Sequence, residues 1–285
     1  MQLAVVRNHA SSAAKSESNL DELKDFVHAH PRLFVLTGAG ISRASGIPTY
    51  RDEIGVWKSK QPIQHNEFIN SYSTRQRYWA RSFGGWESVG NASPNEAHDA
   101  LAQLENRGLL STLVTQNIDR LHQKAGHRRV IDLHGRLDQV ICMDCGEITP
   151  RAEIQVWLRR NNPHLIGTQA ELAPDGDADV MDELIQRVQV PACGHCGGLL
   201  KPNVVFYGSS VSKELVTYIT DQLEQADAML VIGSSLMVYS SFRFCRHAHH
   251  KNIPMACINQ GVTRADELFR LKVTRDCGEA LSSLL

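Results

Sequence analysis

The chain has 285 residues, enough to bury a large core as one domain, or as one domain with a small satellite. Apolar residues make up 42% and charged residues 21%, and 30 basic side chains stand against 31 acidic ones, which argues against a nucleic-acid partner held by bulk charge. No apolar run reaches the length of a membrane span, and the opening Met1-Gln-Leu-Ala-Val-Val-Arg7 has neither a long apolar core nor an Arg-rich face, so neither a membrane partner nor a targeting peptide is expected.

Residues 1–18 are small and polar and read as a mobile N-terminus. Asn19-Leu-Asp-Glu-Leu23 opens a helix that Pro31 ends, and Leu33–Thr37 reads as a fully buried strand running into Gly38-Ala39-Gly40. Ser93-Pro-Asn-Glu96 has the form of a capping box with Pro94 at the first helical position, and that helix stops at Gly108. Strand-like Leu110–Val114 leads into Thr115-Gln-Asn-Ile-Asp119, and a short strand over 130–133 delivers His134-Gly135. The stretch 150–190 is polar and reads as irregular, with a turn at Ala173-Pro-Asp-Gly-Asp177. Beyond it, 200–206 is strand-like and 211–225 helical, and strand 229–232 runs into Gly233-Ser-Ser235. Residues 241–250 are helical, and strand 255–258 ends in Asn259-Gln-Gly261. Such alternation predicts an α/β fold, a Rossmann-like doubly wound parallel sheet with a smaller zinc-binding and helical domain inserted. The expected division assigns 19–52, 93–139 and 200–285 to the sheet domain, 53–92 to a helical lid segment, and 140–199 to a zinc-binding module.

The zinc expectation rests on two matched knuckles, Cys142-Met-Asp-Cys145-Gly146 and Cys193-Gly-His-Cys196-Gly197. Four thiolates are the ligand set of a closed tetrahedral structural site, and each terminal Gly can take the left-handed backbone a tight knuckle needs. Cys193-Gly-His-Cys196 is also the active-site tetrapeptide of disulfide isomerases, where the first Cys caps a helix. Here Pro191 precedes and Gly197-Gly198 follow, so no helix is expected, and zinc explains both pairs. The remaining Cys245, Cys257 and Cys277 make an odd remainder, which fits a reducing compartment: the cytoplasm, or alternatively the mitochondrial matrix.

Four strands thus end in small or amide residues, at 38–40, 116–117, 233–235 and 259–261. In open parallel sheets ligands sit beyond the strands' carboxyl ends, and Gly-rich turns let backbone amides approach phosphates, so a dinucleotide is the expected occupant. The dehydrogenase fingerprint is broken, because position 43 is Arg where a third Gly is required. The loop runs on instead through Pro48, Arg51 and Asp52 in the manner of a lid.

Gly38-Ala-Gly-Ile-Ser42 through Gly46-Ile-Pro48 to Arg51-Asp52 resembles the signature of sirtuins. So do Thr115-Gln-Asn-Ile-Asp119 with Leu121-His122, Leu133-His-Gly135, the paired knuckles, Pro202-Asn-Val-Val-Phe206, Gly233-Ser-Ser-Leu236 and Ile258-Asn-Gln-Gly261, in order across about 30 to 280. Pro62-Ile-Gln-His65 and Arg75-Gln-Arg-Tyr-Trp-Ala-Arg81 are most similar to the class II branch, which holds bacterial members and mitochondrial lipoamidase-type sirtuins. The resemblance implies a protein-lysine deacylase that consumes NAD, acts on acylated lysines of protein substrates as a monomer, and carries one structural zinc ion.

By the same resemblance His134 is the general base, a role that a near-neutral imidazole suits. Asn117 and Asp119 flank the nicotinamide pocket, with Ile118 beside them and Gln116 on the ribose. Gly38, Ala39, Gly40, Ser42, Ile47, Pro48, Tyr50 and Arg51 form the cofactor loop and lid. The loops Gly233, Ser234, Ser235 and Asn259, Gln260, Gly261 hold the adenosine half, with the Cys277 backbone near adenine. Val205, Phe206 and Tyr207 frame the acyl-lysine groove. Asp119, which precedes a helix, also reads as a simple N-cap. Tyr78 and Arg81, three apart on a helix, resemble the pair by which some sirtuins hold acidic acyl groups; they also read as packing and surface charge. Tyr207-Gly208-Ser209 stands where most sirtuins carry Phe-Gly-Glu, so acyl preference is open; Tyr50 replaces the usual Phe before the lid Arg, a mild change that keeps the ring. Protein ADP-ribosyl transfer and an NAD-binding regulatory module are the alternative functions.

Overall fold

The structure, a computed structural model, describes residues 19–49, 52, 54, 56, 62–167 and 180–285. The expected N-terminal arm (1–18), the turn at 173–177, and Tyr50 and Arg51 lie outside the described residues. Nine strands occur among the described residues: β1 (Leu33–Thr37), β2 (Leu110–Thr115), β3 (Val130–Asp132), β4 (Gly135–Cys142), β5 (Ile148–Pro150), β6 (Leu200–Val204), β7 (Ala228–Ile232), β8 (Met255–Ile258) and β9 (Leu271–Val273). Six of them form a parallel sheet in the order β3-β2-β1-β7-β8-β9.

Every residue of β1, β7 and β8 is buried, because helices cover both faces. Alternate residues divide the core accordingly. Leu33, Val35, Leu230, Ile232, Ala256 and Ile258 pack with the helix over 19–29 (α1) and two others described below, through Leu23, Phe26, Leu101, Leu104 and Leu281. Phe34, Leu36, Met229, Val231 and Cys257 pack against Ile219, Leu223, Phe244 and Ala248 on the opposite face. The first set of partners comes from α4 (Glu96–Asn106) and α10 (Cys277–Ser282), and the second from α8 (Lys213–Glu224) and α9 (Tyr239–His250). The remaining helices are α2 (His65–Asn70), α3 (Tyr72–Asn91), α5 (Leu121–Lys124), α6 (Arg151–Asn161) and α7 (Asp182–Ile185). Among the described residues no helix is long and apolar enough to cross a membrane.

A second, antiparallel sheet has the order β5-β4-β6. It shares one core with α2, α3 and α6, in which Phe68, Tyr78, Trp79 and Phe83 meet Val140, Ile154, Leu158 and Leu200. The described parts of the segments expected separately at 53–92 and 140–199 therefore pack as one small unit, whose sheet begins at Gly135 and ends at Val204. The strand expected over 200–206 as part of the parallel sheet belongs here instead. Pro202 cannot donate to a central ladder, and β6 is accordingly an edge strand.

Two further expectations are corrected. The cap of α4 is Asn95, not Ser93: its Oδ1 accepts from Ala97 N at 3.0 Å, and His98 Nδ1 accepts from Asn95 N at 3.3 Å to complete the box. Asn95 Nδ2 also donates to the Ile41 carbonyl at 2.8 Å, a tie that Ser93 does not make. The stretch expected to be irregular contains α6. Its buried face is Arg151, Ile154, Gln155 and Leu158, a helical repeat hidden because two of the four residues are polar. Arg151 is fully buried, stacked over Trp79 and Trp86, and donates to Ser82 Oγ at 3.1 Å.

Candidate active site

The loops after β1, β2, β7 and β8 converge on a cavity of about 830 Å³, where strand order reverses between β1 and β7. The glycines of its floor serve close packing. A Cβ on Gly38 would meet Ser234 Cβ at 2.7 Å, and one on Gly40 would meet Gly233 Cα at 2.8 Å. Gly40 N donates to the Gly233 carbonyl at 2.8 Å, and Gly233 itself has φ 62°. The loops after β1 and β7 thus lie backbone against backbone, which only glycine permits.

Amide side chains from the end of β2 brace this floor. Gln116 Nε2 donates to the Thr37 carbonyl at 3.1 Å and to Ser234 Oγ at 2.8 Å. Asn117 Nδ2 donates to the Gly38 carbonyl at 3.1 Å and to Ser42 Oγ at 3.0 Å. Ser42 Oγ in turn donates to Asp119 Oδ2 at 2.7 Å, while Asp119 Oδ1 accepts from Leu121 N at 2.9 Å. Asp119 therefore ties the first residue of α5, whose N-cap is Arg120, to the cofactor loop. Burial raises its carboxyl pKa, opposed by the Leu121 and Ser42 donors.

His134 follows β3 and reaches the cavity, and Gly135 at φ 80° sits where a Cβ would collide with the Asn203 carbonyl. Its Nδ1 lies 3.0 Å from the Gln116 carbonyl oxygen and its Nε2 lies 2.8 Å from Ser240 Oγ. Burial pushes its pKa down, opposed by the Gln116 carbonyl, so the ring is neutral at pH 7. A neutral imidazole facing a cavity can accept a proton.

Ala39, Ile118, Ser235, Asn259, Gln260, Gly261 and Cys277 also line the cavity, as do Val205, Phe206 and Tyr207 on the opposite wall. Cys277 is no nucleophile, since burial pushes its thiol up to about 12. Ser42 and Asp119 lie beneath the floor, and neither Ile47 nor Pro48 is part of the described lining. Tyr78 lines the cavity from α3, its ring packed against Phe68, Trp79 and Phe206 with centroids 5.4, 5.2 and 5.5 Å away. Arg81 does not join it in the described lining. Lining residues not assigned to the site from the sequence include Arg43, whose Nη1 donates to Gln260 Oε1 at 3.1 Å, and Ser240 and Arg243 on α9. The signal for these last two was a serine and an arginine one helical turn apart, beginning five residues after the Gly-Ser-Ser loop ends at Ser235.

The knuckles form a separate centre. The four sulfurs lie within 4.8 Å of one another, with Cys142–Cys196 at 3.5 Å and Cys145–Cys193 at 3.8 Å. Tetrahedral zinc with bonds near 2.3 Å requires sulfurs about 3.8 Å apart, so the set fits one structural zinc ion. Gly146 and Gly197 take φ 78° and 75°, and their N–H groups donate back to the Cys142 and Cys193 carbonyls at 3.0 and 2.8 Å. No helix starts at the second knuckle, in keeping with metal rather than redox chemistry.

Comparison with known proteins agrees with this geometry. Residues 38–240 match the model of the Sir2 family. The NAD-dependent protein deacetylase 2 of Bradyrhizobium diazoefficiens is 56% identical over 92% of this chain and 96% of its own. The human mitochondrial NAD-dependent protein lipoamidase sirtuin-4 is 48% identical over 91% of this chain and 84% of its own. A solved structure of Sir2 with a p53 peptide and NAD+ superposes with a TM-score of 0.73 at 28% identity, covering 92% of this chain and 95% of that one. The protein belongs to the Sir2 family, with bacterial deacetylases and sirtuin-4 among its relatives.

Proposed function

We propose that the protein is an NAD-dependent protein-lysine deacylase, in which His134 is the general base. The observation that carries this is the His134 imidazole, its Nδ1 held by the Gln116 carbonyl, facing a cavity large enough for a dinucleotide at the switch point. NAD supplies an electrophilic ribose carbon once nicotinamide departs, and the acyl group ends on ADP-ribose. Gln116 and Asn117, both fixed through the floor, orient the ribose and carboxamide ends of the site. Arg43 offers positive charge to the diphosphate, and the side-chain-free loop 38–40 lets it approach the floor; Ser234, Ser235 and 259–261 receive the adenosine half. Val205, Phe206 and Tyr207 with Tyr78 form an apolar wall that suits an acyl-lysine stem and excludes water. Its working form is a cytoplasmic monomer acting on acylated protein lysines; the bacterial relatives, and the free cysteines among the described residues, support that setting.

The test is mass-spectrometric turnover of one lysine peptide bearing acetyl, glutaryl, lipoyl or long-chain acyl groups, with and without NAD. Release should require NAD and yield acyl-ADP-ribose, and His134→Ala should lower it by at least about 100-fold. Label appearing on protein in place of acyl-ADP-ribose would point to ADP-ribosyl transfer. A preference for glutaryl over acetyl would return Arg81 to the acyl site despite its position.

A further inference from the structure

Ser240 stands in the first turn of α9, half-buried, with its hydroxyl 2.8 Å from His134 Nε2. The other ring nitrogen fixes the meaning of that contact. A carbonyl oxygen only accepts, so Nδ1, 3.0 Å from the Gln116 carbonyl, carries the proton. In the neutral ring Nε2 is then a bare lone pair, and the Ser240 hydroxyl must be its donor.

The contact closes a ring of hydrogen bonds. From the Gln116 carbonyl it runs through His134 to Ser240, and along the chain back to Leu236 and Ser234. Ser234 Oγ accepts from Leu236 N at 3.2 Å and from Gln116 Nε2 at 2.8 Å, which returns to the residue where the ring began. The helix end is itself anchored, because the adjacent Ser241 is fully buried and donates to the Val238 carbonyl at 3.0 Å. The two serines thus divide the work: Ser241 holds the helix, and Ser240 faces the cavity.

We propose that Ser240 is a positioning residue for the catalytic base: it donates to His134 Nε2, holds the ring in one tautomer and one orientation, and yields that nitrogen to a substrate hydroxyl. The role rests on the deacylase reading for its consequence, though not for its geometry. One hydroxyl donor replaces another, so the base is never left buried without a partner, and the ring need not turn as the substrate hydroxyl arrives. Preorganisation of this kind acts on the rate of the step more than on binding.

The test uses full-length protein with 15N-labelled histidine, in wild-type form and as Ser240→Ala and Ser240→Thr. Alanine is a good helix former, so the first variant is expected to fold. The His134 ring resonances, assigned by their loss in His134→Gln, are read without cofactor. Wild type should show a single Nδ1–H tautomer with a hydrogen-bonded Nε2. Ser240→Ala should shift and broaden the Nε2 signal and lower kcat by about 3- to 10-fold, with KM for NAD little changed. Ser240→Thr, which keeps the hydroxyl, should restore both. A wild-type Nε2–H tautomer would overturn the proposal, as would an Ala variant with unaltered ring signals, or a change in KM alone. If wild type shows the signature yet releases no acyl group, the deacylase reading falls while the hold of Ser240 on the ring stands.

Discussion

The two units of this protein are held together by different means. In the parallel sheet, apolar residues of β1, β7 and β8 alternate between two covered faces, so each hydrogen-bonded strand is buried on both sides. The small unit has short strands, an aromatic cluster, a buried Arg151 and four thiols that need a metal to become a crosslink. The cavity lies between them: its floor belongs to the sheet, and the wall formed by Tyr78, Val204 and Phe206 belongs to the small unit. The contrast teaches that a wall can be rebuilt without disturbing the floor that holds the base.

The largest expected effect comes from metal removal. Structural zinc in such sites is worth on the order of 10 kcal/mol to the fold around it. A strong chelator should therefore raise amide exchange across 135–204 while leaving β1 and β7 protected, and abolish activity by loss of the wall. Equal exposure of β1 and β7, read by hydrogen-exchange mass spectrometry, would mean that the units are one cooperative whole. Next in size is a cavity in the sheet core. Leu36 is fully buried, and Leu36→Ala should lower stability by about 3–5 kcal/mol in urea titrations, with zinc retained. Loss of zinc along with stability would contradict the division.

Smaller and specific to acid is the effect of His98. Burial, then the nearby His127, lowers its pKa to about 4. The folded state refuses a proton that the unfolded state accepts near 6.5, so stability present above that pH is lost as pH falls toward 4. By pH 5 the loss from His98 should be about 2 kcal/mol. His98→Gln keeps an acceptor for Asn95 N without a titrating ring, and should flatten the stability curve between pH 6.5 and 5 relative to wild type. Parallel curves would assign the acid sensitivity elsewhere, with His122, whose pKa is also well below normal through burial, the first alternative.

What the sequence revealed follows the same division. β1, β8 and the end of β2 are continuous apolar runs halted by glycine or amide residues, so the sheet and its ligand loops could be read directly. The helix α6 could not, because Arg151 and Gln155 occupy its buried face and their partners, Trp79, Trp86 and Phe83, lie far away in sequence. The cap at Asn95 was missed for a related reason: its decisive bond is to the distant Ile41 carbonyl. Motif spacing pointed to His134, Asn117 and the four cysteines. It could not tell that Ser42 and Asp119 brace the floor from below, or that Ser240 touches the base, since those are contacts across the sheet.

The interlocked glycines at 38, 40 and 233 bear on inhibitor chemistry. With main chain against main chain and no space for a single methyl group, the floor offers no induced subpocket to a medicinal chemist. A bulkier ligand cannot gain depth there; it can only grow sideways, toward the rings of Tyr78 and Phe206 or the guanidinium of Arg243. Selective compounds for this enzyme should therefore be built outward from the rim.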